Sequence, residues 1–228
     1  GLSAAASDAM GEDLTALDTL LHQETQLSTN TFWSTAYNDM RTENLITYTP
    51  NPDVTPIVTY GQVLTDRNSV TGTARELESQ GWRVVAGING DFYNVNTGLP
   101  IGLVISEGVL RSSDGGYYAI GFRADGTAAI GKPGVKVTAR LGYMDAEGYG
   151  EEVSRQLTAV NKARVSDGGT YLYTYDFNSK HTTGNTEAGV DVLCTIQEGR
   201  LSIGETVTAV VERVEETTSC LLYTSPSP

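Results

Sequence analysis

The stretch Trp82-Arg83-Val84-Val85-Ala86-Gly87-Ile88 is apolar on both faces apart from Arg83, and it runs straight into Asn89-Gly90-Asp91-Phe92-Tyr93. A strand of that composition needs cover above and below, which predicts a place in the middle of a sheet. The Asn-Gly-Asp turn then falls at the strand's C-terminal end. An Asn and an Asp there cost free energy unless each is paired. Two readings stand side by side. Either both side chains bond the local backbone in an Asx-type turn, or they carry chemistry, with Asp91 as acid, base or acceptor and Asn89 holding a hydroxyl or phosphate oxygen.

Around this stretch the pattern is mostly extended. Leu45–Thr49 and Pro56–Leu64 read as strands, the first stopped by Pro50-Asn51-Pro52. Thr71–Gln80 reads as a helix capped by Thr71 or Thr73 and ended by Gly81 in the left-handed conformation. From residue 101 onward, strands alternate with tight turns. Glu107-Gly108 joins residues 101–106 to 109–111, and Ala124-Asp125-Gly126 joins 117–123 to 127–130, both hairpin signals. Further strands are expected over 135–141, 157–161, 170–175, 190–197 and 206–214, with a solvated loop over 145–152. Near the start, Leu14, Leu17, Leu20 and Leu21 fall at helical spacing behind Asp13 and predict a short helix. Residues 23–40 read as loop with some extended structure. The expected class is α+β: a mixed, β-rich domain with an extensive sheet and a few short helices.

Composition narrows the function. A net charge of −13 over 228 residues, with no basic block, argues against nucleic acid as partner. No run of about 18 apolar residues occurs, so no transmembrane helix is expected. Leu2–Ser7 reads either as the small-residue end of a signal peptide or as a linker. Acidity, abundant Thr and Tyr, and only two cysteines suit a bacterial protein that is secreted or placed in the cell envelope. The only histidines, His22 and His181, come with no Gly-x-Ser-x-Gly elbow, which argues against a Ser-His-Asp hydrolase. Two His and two Cys give no zinc spacing. Gly131-Lys132-Pro133-Gly134 lacks the phosphate-loop spacing. Phe92 and Tyr93 read as core or as a sugar-facing pair. Asp91, Asn94 and Asn96 cluster oxygens, so no cofactor is expected but a divalent cation such as calcium is an alternative.

Several motifs in one order carry a resemblance. They are Arg41–Asn51, Ala86–Tyr93 with Thr97–Gly102 and Val104–Gly108, then Ala119–Phe122, Asp125–Thr127, Asn161–Arg164 and Leu172–Thr174. Over roughly residues 41 to 215 the chain resembles the phosphodiester glycosidase family (N-acetylglucosamine-1-phosphodiester alpha-N-acetylglucosaminidase-like). The resemblance implies hydrolysis of a sugar-1-phosphodiester in a glycan or glycoconjugate. It implies carboxylate chemistry at Asp91, hydroxyl or phosphate positioning by Asn89, and a phosphate clamp at Arg164, whose planar fork suits two oxygens at once. Gly90, Tyr93 and Asn161 would line the substrate, and Lys162 is expected to be exposed.

The family's second half, with another Arg, an Asp-Gly-Arg element and an Asp-Gly-Gly-Gly-type turn, has no counterpart here; Asp114-Gly115-Gly116 and Asp167-Gly168-Gly169 sit in hairpin-like contexts. The expected organisation is an N-terminal arm with a short helix over 1–40, a partial glycosidase-like domain over 41–219, and a non-native tail over 220–228. The uncharged Ser219–Pro228 resembles translated adapter sequence, with an ordinary tail as the alternative. A reading of another class is a non-catalytic extracellular carbohydrate-binding or wall-associated module using Trp33, Tyr37, Tyr93 and Tyr117.

Overall fold

The computed structural model describes residues 13–222; the leader-or-linker segment Leu2–Ser7 and most of the uncharged tail lie outside them. Strands dominate: β1 (Asp13–His22), β2 (Thr25–Ser34), β3 (Asp39–Tyr48), β4 (Val104–Ser106), β5 (Val109–Ser112), β6 (Ala119–Phe122) and β7 (Ala128–Gly131). They continue with β8 (Thr138–Met144), β9 (Gly150–Gln156), β10 (Ala159–Val160), β11 (Tyr171–Leu172), β12 (Gly189–Glu198) and β13 (Thr208–Thr217). One α-helix, α1 (Val70–Ser79), and a 3₁₀ turn at Tyr175–Phe177 complete the described elements. Among these residues no helix is long and apolar enough to cross a membrane.

The strands pair as a meander β1-β2-β3 and as separate two-stranded ribbons, rather than as the single extensive sheet expected from sequence. All pair antiparallel where register is defined, except β10 and β11, which run parallel. The contacts group into two compact units. Among the described residues, the first holds 13–56, with Leu77–Ile88 and Phe122–Ala128; the second holds Ile57–Glu76, Asn89–Gly121 and 129–222.

In the first unit, the helix expected over residues 13–22 is a strand. Thr15, Asp18 and Thr19 are poor helix formers. Leu14, Leu17 and Leu20 stay exposed, so no core rewards a helical stripe. Pairing wins instead: Leu17 faces Thr29, and Asp18 faces Ser28, whose hydroxyl donates to Asp18 Oδ1 at 2.5 Å. Residues 25–34, expected to be largely loop, form β2, because Thr, Phe and Trp favour a pleated surface. The boundary expected at residues 40/41 falls inside β3.

The strand expected over Trp82–Ile88 has no ladder partner among the described residues, and Ile88 is 81% exposed. Its two-faced apolar pattern signals a need for cover, but a strand also needs neighbours for its backbone groups. The unit boundary falls between Ile88 and Asn89.

The α1 helix matches expectation, with its cap moved. The Gly72 N–H donates to Ser69 Oγ at 3.0 Å, so Ser69 caps it rather than Thr71 or Thr73. At the other end the Gly81 N–H bonds Glu78 O and the Trp82 N–H bonds Leu77 O, the paired bonds of a Schellman stop. Gly81 takes the required positive φ of 95°.

The second unit buries Val63, Leu64, Leu99, Val104, Leu110, Val160 and Phe177. Residues 56–64, expected to be a strand, run without a ladder because their backbone is bound singly. Val58 O accepts the Ser106 hydroxyl at 2.6 Å, and the Leu64 N–H donates to Asp176 O at 2.8 Å. The Glu107-Gly108 hairpin forms as expected, with φ of 53° and 74° at its two turn residues. Cys220 is buried, its C=O accepting the Thr183 N–H and its own N–H donating to Thr183 Oγ1.

Candidate functional site

The Asn89–Tyr93 turn folds back on the segment Leu99–Gly102 within the second unit. The Ile101 N–H donates to Phe92 O at 3.0 Å, the Asn94 N–H to Leu99 O at 2.9 Å, and Tyr93 bridges Pro100. Asn94 Oδ1 accepts the N–H groups of Asn96 and Thr97 at 2.9 and 3.1 Å, closing its own Asx turn. That oxygen is therefore committed to backbone. No group of three His, Cys, Asp or Glu side chains close enough for a metal occurs among the described residues.

Asp91 is exposed, and its Oδ2 accepts the Gly102 N–H at 2.7 Å. The approach is close: a Cβ on Gly102 would stand 3.1 Å from that oxygen. Gly90 opens onto free space, with nothing within 4 Å of where a Cβ would be. Tyr93 is 48% exposed, and the Arg67 guanidinium lies 5.8 Å from its ring centroid, within cation–π range. Asn89 and Phe92 are exposed beside them. Asp91 thus stands on open surface. Two concavities lie elsewhere among the described residues, one of about 370 Å³ between residues 50–55 and 124–126 and one of about 40 Å³ beside Ser113 and Asp114.

Lys162, expected to be exposed, is not free. Its Nζ donates to Pro100 O at 2.7 Å, Ile101 O at 3.0 Å and Gly102 O at 3.0 Å. Burial pulls its pKa down from the usual lysine value to about 8, against the opposing pull of Asp91 and Asp114. The sequence held no signal for this, because the partners are carbonyls rather than side chains.

Asn161, next to it, is 0% exposed and sits at a positive φ of 49°. Its Nδ2 donates to Arg111 O and Thr174 Oγ1, each at 2.7 Å, while its Oδ1 accepts the Thr174 N–H at 2.9 Å. The Thr174 hydroxyl donates to Asp176 Oδ1. Asp176 Oδ2 in turn accepts the Tyr60 hydroxyl at 2.6 Å and Arg111 Nη1 at 3.2 Å. Burial, then the Asp176 bond, push the Tyr60 hydroxyl well above the ordinary tyrosine range. This polar chain fixes Asn161, and through the backbone Lys162, to the interior.

Arg164 points away from this group. Its Nη2 donates to Glu187 O and its guanidinium covers Gly189. Among the described residues no hydrogen bond or ion pair joins it to Asp91. The structure therefore gathers Asp91, Gly90, Tyr93 and Asn89 into one exposed turn, holds Asn161 as a buried group bonded to Arg111 and Thr174, and engages Arg164 with Glu187. His181 stacks on Tyr175 and bonds its carbonyl through Nδ1, with no carboxylate partner among the described residues.

Comparison with protein-family models, curated proteins and solved structures gives no match for this chain.

Proposed function

We propose that this chain belongs to a phosphodiester glycosidase built on an α+β frame, and that it hydrolyses a sugar-1-phosphodiester. The reading rests on the family-like motifs and on one geometric observation: the Asp91 carboxylate is exposed yet oriented, held by a single backbone N–H in an open turn. Such a carboxylate is free to activate water or to stabilise a charged sugar. Water adds at the anomeric carbon, the bond from that carbon to the phosphate oxygen breaks, and a free sugar and a phosphate monoester leave. Gly90 leaves room for the sugar, Tyr93 offers a ring face and Asn89 a hydroxyl-binding amide. Arg67, lying over Tyr93, is a second candidate for the phosphate beside Arg164, one of whose N–H donors is already spent on the Glu187 carbonyl. Asn161 acts by positioning, since its amide is fully engaged. Secretion or envelope placement in a bacterium belongs to the same reading, and a divalent cation at the turn would draw on Asp91 rather than Asn94.

The test is turnover of a methyl ester of N-acetylglucosamine 1-phosphate by the 228-residue chain. Release of methyl phosphate, followed by phosphorus NMR and abolished in Asp91→Asn, supports the proposal. A second reading, a glycan-binding module, draws on the exposure of Trp33, Tyr37, Tyr93 and Tyr117. It predicts glycan affinity that survives Asp91→Asn, with no turnover by the wild type.

A further inference from the structure

Three consecutive carbonyl oxygens, those of Pro100, Ile101 and Gly102, converge on one point. Neighbouring carbonyls in extended chain point to opposite sides, so this segment has curled to bring three partial negative charges together. That arrangement repels itself unless a cation stands at its focus, and Lys162 Nζ stands there, at 2.7, 3.0 and 3.0 Å. An ammonium has three donors, and all are spent on the cradle. Protonated Lys162 therefore has no donor left for a substrate.

The same residue that closes the cradle also holds the carboxylate. Gly102 gives its C=O to Lys162 and its N–H to Asp91. Ile101, in the middle of the cradle, gives its N–H to Phe92 O, next to Asp91. Its chain neighbour Asn161 is buried and bonded to Arg111 O and Thr174. The charged groups facing the Lys162 ammonium are Asp91 and Asp114.

The geometry points to Lys162 as the positioning residue of the site: its ammonium curls residues 100–102 and so aims the Gly102 N–H at the Asp91 carboxylate. This rests on the catalytic role proposed for Asp91. Without the ammonium the carbonyls splay, the Gly102 N–H swings off, and the carboxylate loses its fixed orientation. The cradle also has a pH limit, because deprotonation near pH 8 removes one of the three donors.

The experiment measures kcat and KM for the methyl ester of N-acetylglucosamine 1-phosphate against pH in wild type, Lys162→Met and Lys162→Arg, together with the Gly102 amide shift by NMR. Loss of orientation lowers kcat in Lys162→Met by about tenfold to a hundredfold with KM little changed. Wild-type kcat falls as pH rises through about 8, and Lys162→Arg, which keeps its charge, loses that alkaline limb. The Gly102 amide of the wild type titrates over the same range, a readout needing no turnover and no variant to fold. Turnover with a Gly102 amide flat through this range, or with an unchanged alkaline limb in Lys162→Arg, overturns the role of Lys162 alone. Absence of turnover in a wild type whose Gly102 amide titrates overturns the glycosidase reading, and with it the positioning of Asp91 for turnover by Lys162.

Discussion

The Gly102 N–H donates to Asp91 Oδ2 at 2.7 Å, the one hydrogen bond that orients this exposed carboxylate. A Cβ on Gly102 would stand 3.1 Å from Oδ2 and 3.2 Å from Oδ1, so the carboxylate would have to give by a few tenths of an ångström. Gly102→Ala is therefore expected to cost about 1 kcal/mol of stability and to lower turnover at least about tenfold. Thermal unfolding and kcat on one sample check both. A carboxylate that tolerates the methyl group, with kcat unchanged, would show that Asp91 needs no fixed orientation.

Asn161 satisfies three partners while fully buried: Arg111 O, the Thr174 N–H and the Thr174 hydroxyl. Truncation to Ala removes the side-chain partner of Arg111 O and of the Thr174 N–H, leaves the Thr174 hydroxyl with Asp176 alone, and puts an Ala at φ 49°. The expected loss is about 3 kcal/mol, from unsatisfied groups plus left-handed strain. Urea unfolding of Asn161→Ala measures it. Asn161→Gly relieves the strain alone and should fall between the two.

Tyr60 makes the unit sensitive to alkali. Burial and the Asp176 bond raise its pKa in the folded state, so the folded chain holds the phenolic proton more tightly than the unfolded one. Its contribution is full below pH about 10, the ordinary tyrosine value, and is lost as pH rises beyond it. Tyr60→Phe should lose about 1 kcal/mol at neutral pH through the missing hydrogen bond while removing that alkaline loss. Urea midpoints for both proteins at neutral and strongly alkaline pH test the sign.

Ser69 is the last side chain before α1 and accepts the Gly72 N–H. Ser69→Ala should destabilise the first turn by about 1 kcal/mol. Hydrogen exchange at Gly72 and Thr73 should quicken, with little change elsewhere.

What the sequence revealed was local. The α1 stop was legible because Gly81 at a helix end encodes its own geometry, and the Glu107-Gly108 hairpin because a two-residue turn fixes its register. What it hid depended on distant partners. Leu14, Leu17 and Leu20 sit at helical spacing, yet pairing with β2 makes them a strand. Trp82–Ile88 has the composition of a central strand but no ladder partner among the described residues. At the candidate site, Asp91, Gly90 and Tyr93 could be read as one turn because they are contiguous. Lys162 could not, because a cradle of backbone carbonyls leaves no mark in residue types. Arg164 was chosen for its chemistry, and its engagement with Glu187 O depends on where Glu187 falls in space.

The central claim, that the Asp91 turn directs water to an anomeric carbon, is tested most directly by hydrolysing the methyl ester of N-acetylglucosamine 1-phosphate in ¹⁸O-labelled water. The account predicts label in the released sugar, none in methyl phosphate, and neither product from Asp91→Asn. Label in the phosphate would mean cleavage at phosphorus, and equal turnover by Asp91→Asn would remove the carboxylate from the chemistry; either result would contradict it.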